Sequence, residues 1–290
     1  MKVVALVQAR MGSTRFPGKV LEPIIGRPMI ELLLIRLFQS NKLDEIIVVT
    51  SKNPENDHLQ IVVESLGFKC YRGSEENVLN RFYVAARDIG ADIVVRITGD
   101  CPLLDVSIID ACISGYEKSK VDYFSNVDPA TYPDGLDVEV MSFESIKRAN
   151  SKTNSKFDRE HVTPYIRNSD IFSKDSIEYI EDLSNLRWSV DEPDDLVVVT
   201  NVFEYFSPSL FFDWKQVLKL RELHPELFQA NKQIKNNEGA VMGIGQKLYK
   251  RAKKVIPGGN MLLSKRPEMF LPEGWPSYFS KAKGCRVVDM

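Results

Sequence analysis

The chain has 290 residues, 43% of them hydrophobic, enough to bury one large core or two smaller ones. Its 38 basic and 40 acidic residues leave a formal charge of −2, so composition offers no footing for nucleic acid or a membrane surface as a partner. The four cysteines lack paired or metal-like spacing, no apolar run is long enough to cross a bilayer, and MKVVALVQAR lacks a secretory pattern; a soluble cytoplasmic protein with reduced thiols is expected.

In chain order, VVALV (3–7) reads as a strand buried on both faces. PMIELLLIRLFQ (28–39) reads as a helix and EIIVV (45–49) as a second buried strand. A helix over 54–66 has Asn53 as its expected cap, Pro54 at its first position and Gly67 after its end. FKCY (68–71) is a strand, VLNRFYVAARDIG a helix closed by Gly90, and DIVVRI (92–97) another buried strand. A helix near 106–117 follows, with Asp105 as cap. LDVEVM (136–141) alternates apolar and charged residues, as an edge or antiparallel strand does. Helices near 143–150 and 159–167, a strand at RWSV (187–190) and a helix near 193–206 complete the series. Repeated β-α-β units predict an α/β fold with a mainly parallel sheet and helices on both faces. ANKQIKNNEGAVMGIG (230–245), polar and then glycine-rich, reads as a linker.

Two features point to chemistry. In VQARMGSTRFPGK (7–19), Gly12 and Ser13 leave backbone N–H groups open to an anion while Arg10, Arg15 and Lys19 add charge. A loop leaving the first strand of an open parallel sheet stands where such folds bind ligands. The loop fits a triphosphate, yet it is neither a Walker loop nor a G-x-G-x-x-G turn, and a basic surface turn is the plainer alternative. Asp100 in VVRITGDCPLLD and Asp191 in RWSVDEPDDL each end an expected strand just before a proline-containing turn. Two carboxylates at neighbouring strand tips suit one Mg²⁺, a hard cation that takes oxygen ligands and bridges phosphates. Alternatively, Asp191 caps the next helix and Asp100 satisfies a turn.

QARMGSTRFPGKVL, ITGDCPLLD, GLDVEV, REHVTPYI and WSVDEPDDL resemble, in order, the cytidylyltransferases of the spore-coat polysaccharide type, relatives of the enzymes that make CMP-activated Kdo and sialic acids. The resemblance covers residues 1–230. It implies a Rossmann-like nucleotidyltransferase of the nucleotide-diphospho-sugar type that uses CTP and Mg²⁺ and joins CMP to a sugar acid, and relatives are commonly homodimers. By resemblance, Arg10, Gly12, Ser13, Arg15 and Lys19 bind the triphosphate, with Arg15, Lys19 and Asp100 catalytic. Asp100 and Asp191 match the metal-binding aspartates. On the acceptor side, Glu139, Arg159, Glu160 and His161 would contact the sugar acid, although a helix with its polar face in solvent fits Arg159 as well. One departure is visible: NVLNRF carries Asn77 and Asn80 where relatives have acids, which leaves nucleotide choice open. The rival readings are a nucleotidyltransferase with another nucleotide or a non-sugar acceptor, and an inactive nucleotide-binding partner of a fused enzyme.

QKLYKRAKKVIPGGNMLLSKRPEMFLPEGWPSYFSKAKGCRVVDM (246–290) resembles the amino-terminal edge of a class III, pyridoxal-phosphate-dependent aminotransferase of the glutamate-semialdehyde aminomutase type. The resemblance implies a helix, a PGG turn and the start of a β-hairpin at KAKGCRVVDM. It also implies that the chain is a fragment of a longer bifunctional protein, with pyridoxal phosphate relevant only if the remaining aminotransferase domain were present.

Overall fold

The computed structural model describes residues 1–234 and, beyond them, the backbone of two short strands, 279–283 and 286–289. The chain divides into two compact units, Met1–Gln233 and Ile234–Met290.

The first unit is built on β1 (Val3–Gln8), whose apolar run is buried along its length. A small ribbon, β2 (Pro23–Ile24) and β3 (Arg27–Pro28), leads into α1 (Met29–Leu37). Then come β4 (Glu45–Ser51), a single 3₁₀ turn, α2 (Asp57–Ser65), β5 (Lys69–Gly73), α3 (Val78–Ile89), β6 (Ile93–Thr98) and α4 (Val106–Ser119). The second half holds β7 (Tyr123–Ser125), β8 (Glu139–Ser142), α5 (Phe143–Lys152), α6 (Lys156–His161), α7 (Pro164–Asn168), β9 (Lys174–Ser176), α8 (Pro193–Phe206) and α9 (Trp214–Leu223). Of the second unit, β10 (Phe279–Lys283) and β11 (Arg286–Asp289) form an antiparallel hairpin that begins before KAKGCRVVDM, whereas that stretch is expected only to open a hairpin. The expected linker, except for its first residues, and the expected helix and PGG turn lie outside the described residues.

The main sheet runs β5-β4-β1-β6-β8-β7-β9. β5, β4, β1 and β6 are parallel, while β8 runs antiparallel to both β6 and β7. The side chains of β1 alternate between two cores, as the pleat requires. Val3, Ala5 and Val7 join α1, α2, α4, α8 and α9 on one face, and Val4 and Leu6 join α3, α5 and α7 on the other. Connections out of β1 run toward β4 and those out of β6 run the opposite way, so the tips of β1 and β6 frame the switch point where such sheets leave a crevice.

Several expectations need correction. RWSV is not a strand: Arg187 makes one bridge to Asp134, Trp188 N–H donates to the Asp134 carbonyl at 2.7 Å and Val190 N–H to the Asp100 carbonyl at 2.8 Å. The segment's neighbours are turns and not a ladder. Gly135, at φ +107°, passes so near that a Cβ would stand 2.6 Å from the Trp188 and Ser189 backbone. The expected strand 136–141 is antiparallel but begins only at Glu139, because the Asn126 amide takes the ladder's place, donating to the Leu136 carbonyl and accepting from Val138 N–H, each at 2.8 Å. The helix expected over 159–167 breaks into α6 and α7 at Val162, whose φ is +72°, two residues before Pro164. Asn53 stands before the 3₁₀ turn without capping it; its amide donates to Glu75 at 3.3 Å. Asp105 does cap α4, accepting from Ser107 N–H at 2.7 Å, and its other oxygen accepts from Trp214 N–H at the start of α9.

Candidate active site

The loop after β1 is closed locally. Gly18 N–H donates to the Met11 carbonyl at 2.8 Å, and Gly18 adopts φ +78°, a left-handed turn that suits glycine. Met11 N–H is held by the buried Asn56 side chain at 2.8 Å, which ties the loop to the turn before α2. Behind Gly18 a 3₁₀ turn, Lys19–Leu21, aims the Lys19 side chain inward, where the residue is only 6% exposed.

Lys19 Nζ donates to Asp100 Oδ2 at 2.8 Å, to Asp191 Oδ1 at 2.9 Å and to the Val190 carbonyl at 2.7 Å. The three protons of the ammonium are thus all used. Burial works against the charge on Lys19, but the two facing carboxylates outweigh it and its pKa stands above the ordinary lysine value. Burial likewise pushes the Asp100 pKa up, yet Lys19 outweighs it and holds that carboxyl down at about 2. Arg15 reaches Asp191 Oδ2 at 2.7 Å.

Asp191 is not a helix cap. That task falls to Glu192 and Asp195, which form a reciprocal box at the start of α8. Asp195 is fully buried and accepts from the backbone N–H groups of Asp191 and Glu192, each at 2.9 Å. Arg187 forks onto Asp195 at 2.7 and 2.8 Å and extends one nitrogen to Asp191 at 3.3 Å. Asn231 donates to Asp195 at 3.0 Å and to the Arg187 carbonyl at 3.1 Å. Arg187, Asp195 and Asn231 therefore hold Asp191 in place, and none was singled out from the sequence. The signal available was spacing, since Arg187 and Asp195 lie four residues on either side of Asp191.

The remaining expected residues are placed differently. Arg10 turns away to an ion pair with Glu75 at 2.5 Å. Ser13 Oγ accepts from Phe16 N–H at 3.4 Å, and beside Gly12 stands the Glu55 carboxylate. Glu139 is buried in an ion pair with Arg96, its register partner on β6, and accepts from Tyr123 Oη at 2.6 Å. Burial works to raise the Glu139 pKa, but Arg96 outweighs it and the carboxyl stands below its ordinary value. Arg159 donates to the Thr153 carbonyl at 2.7 Å, His161 packs on the Phe157 ring and Glu160 is exposed. Asn77 caps α3, accepting from Asn80 N–H at 3.0 Å, a task that an aspartate at the same position would also perform. The structure thus brings Arg15, Lys19, Asp100 and Asp191 together, and keeps Arg10 and the α6 residues out of that contact.

Among the described residues no group of three or more His, Cys, Asp or Glu side chains gathers as a ready metal cage. Asp100 and Asp191 nevertheless supply hard oxygen donors to one shared cation, at present the Lys19 ammonium. That donor chemistry fits a divalent ion which takes its other ligands from phosphate and water.

A cationic loop and two acids stand at the switch point of a mainly parallel sheet, the place where α/β enzymes of this layout bind their ligands. Residues 4–234 match the family described as cytidylyltransferase, and the chain belongs to that family. It is 34% identical over 173 residues to the spore coat polysaccharide biosynthesis protein SpsF of Bacillus subtilis, covering 57% of this chain and 70% of that protein. It is 32% identical over 191 residues to the 8-amino-3,8-dideoxy-manno-octulosonate cytidylyltransferase of Shewanella frigidimarina, covering 62% and 70%. A solved cytidylyltransferase from Leptospira borgpetersenii superposes with a TM-score of 0.76 at 29% identity, over 79% of this chain and 97% of the other. The family match ends at residue 234, so it does not bear on residues 246–290, for which a resemblance to an aminotransferase is expected.

Proposed function

We propose that the protein transfers CMP from CTP to a hydroxyl of a sugar acid, releasing pyrophosphate with the help of Mg²⁺. The observation that carries this reading is the convergence of Lys19 and Arg15 on Asp100 and Asp191 at the switch point, a site with cations for a polyphosphate and carboxylates for a metal. The named activity of the Shewanella relative supports the choice of cytidine nucleotide and of a 3-deoxy-2-ulosonic acid as acceptor class.

The acceptor hydroxyl attacks the α-phosphorus of CTP and pyrophosphate leaves in line. Such transfers depend on positioning and on neutralising charge, and no protein nucleophile is required. Lys19 and Arg15 bind the phosphates and stabilise the charge that grows on the leaving group, while Gly12 lets the loop backbone approach them; the Ser13 N–H, expected to be open, already donates to the Met11 carbonyl at 2.9 Å and joins only by leaving it. Asp100 and Asp191 would hold Mg²⁺, which when bound supplies Lewis-acid polarisation of the phosphate and orientation of the reactants. Arg10 joins the phosphate set only by leaving Glu75. On the acceptor side, Glu139 accepts from Thr163, two residues beyond the end of the helix carrying Arg159, Glu160 and His161; these would meet the sugar acid, with Arg159 toward its carboxylate.

The test is pyrophosphate release from CTP, UTP, ATP and GTP, each with Mg²⁺ and a panel of 3-deoxy-2-ulosonic and nonulosonic acids. Release with CTP and at least one acid is expected. Release with another nucleotide but not CTP, or none with any pairing, overturns the reading.

A further inference from the structure

We propose that Lys19 occupies the divalent-cation position between Asp100 and Asp191 while the nucleotide is absent, so that the metal enters with the triphosphate and not before it. The inference rests on reading this site as one for Mg²⁺ and CTP, and it adds the order in which the two arrive.

Three observations carry it. First, the Lys19 ammonium donates to both carboxylates and to the Val190 carbonyl, so its hydrogen-bonding capacity is spent where a bridging metal would need oxygen ligands. Second, both Asp191 oxygens are taken, Oδ1 by Lys19 and Oδ2 by Arg15 at 2.7 Å and Arg187 at 3.3 Å. Third, no third His, Cys, Asp or Glu side chain among the described residues completes a cage, so two carboxylates alone must compete for a strongly hydrated ion.

A free divalent ion therefore gains little here. It must displace a buried ammonium whose own charge repels it, and the lysine it expels gives up two carboxylates and a carbonyl at once. A triphosphate changes both terms, because its oxygens complete the metal's coordination and also receive Lys19 and Arg15. The exchange is balanced in charge: two monovalent cations leave the carboxylates as one divalent cation arrives. Arg187 stays behind, since its fork is fixed on the buried Asp195.

The experiment is titration of the full chain with Mn²⁺ alone, following the electron paramagnetic resonance signal of free Mn²⁺, with wild type, Lys19→Met and Lys19→Gln. The glutamine amide still donates hydrogen bonds to the carboxylates, which keeps one variant foldable if Met is not tolerated. Expected is roughly tenfold or tighter Mn²⁺ binding by the variants than by wild type, as removal of a unit positive charge within 3 Å of the ligands implies. The gain should vanish when Asp191→Asn is added to either variant. Mn²⁺ should also raise the melting temperature of the single variants and leave that of wild type unchanged. Wild type that binds Mn²⁺ as tightly as the variants overturns the inference, as does a folded variant that gains nothing. If wild type binds Mn²⁺ tightly without nucleotide and still releases pyrophosphate from CTP, only the order of arrival is wrong. If neither the variants nor wild type with CTP bind Mn²⁺ at these acids, the metal site itself fails.

Discussion

The parallel half of the sheet and its antiparallel half handle charge in opposite ways. At the tips of β1 and β6, Lys19 and Arg15 meet Asp100 and Asp191 across a crevice, through contacts that a phosphate and a metal can replace. Along β8 the charge is spent internally, Glu139 on Arg96 and Tyr123. The difference follows from topology. Parallel strands end together and leave their carboxyl-terminal loops beyond the sheet, whereas an antiparallel strand brings a polar side chain beside its neighbour's middle, where it must find a partner inside.

This contrast can be broken from either side. The largest effect is expected from Glu139→Ala, which strands the Arg96 guanidinium in the interior; a loss of about 3–5 kcal/mol should appear in urea unfolding. A loss below about 1 kcal/mol would mean that the antiparallel half is no more internally committed than the crevice. Next comes Asp100→Asn, for which pyrophosphate release should fall by about a hundredfold or more, in line with loss of a metal ligand. Its urea midpoint should move far less than that of Glu139→Ala. Near-normal turnover would remove Asp100 from the proposed chemistry. Arg15→Ala is smaller again: CTP binding, followed by calorimetric titration, should weaken about tenfold, with the greatest loss at low Mg²⁺. Unchanged titration curves would reject a phosphate role for this arginine.

A pH-dependent effect sharpens the boundary between the halves, at Asp137. Burial, then the neighbouring Asp134 and Glu139, push its carboxyl up to about 7. The folded protein thus keeps a proton that the unfolded chain gives up near pH 4, and the stability from this is full in acid and lost as pH rises through 7. Asp137→Asn should therefore melt above wild type at about pH 8, with the gap narrowing toward about pH 5. An equal gap at both values would show that Asp137 is already ionised in the folded state.

The legible parts of the fold were those with strong local signals. β1, β4 and β6 are near-continuous β-branched runs, and α4 starts at the cap that Asp105 announces. β7 and β9 went unseen because three residues each, Tyr123–Ser125 and Lys174–Ser176, are too short to show a period. RWSV has a strand's composition, but among the described residues it makes only the single bridge to Asp134, and a ladder needs a partner strand. At the site, the spacing of Arg10, Gly12, Ser13, Arg15 and Lys19 drew attention to the loop without showing that Arg10 faces Glu75 while Lys19 faces the two aspartates.

By itself the sequence determined the alternation of strands and helices, the cationic turn and the two acids before proline-containing turns, because propensity, capping and apolar period act over a few residues. Tertiary structure alone decided that Lys19 meets a carboxylate 81 residues away and another 172 away, and that Arg187, Asp195 and Asn231 hold the second of them. Contacts at such separations depend on strand order and on which loops that order gathers at one sheet edge, and no short stretch of sequence encodes either.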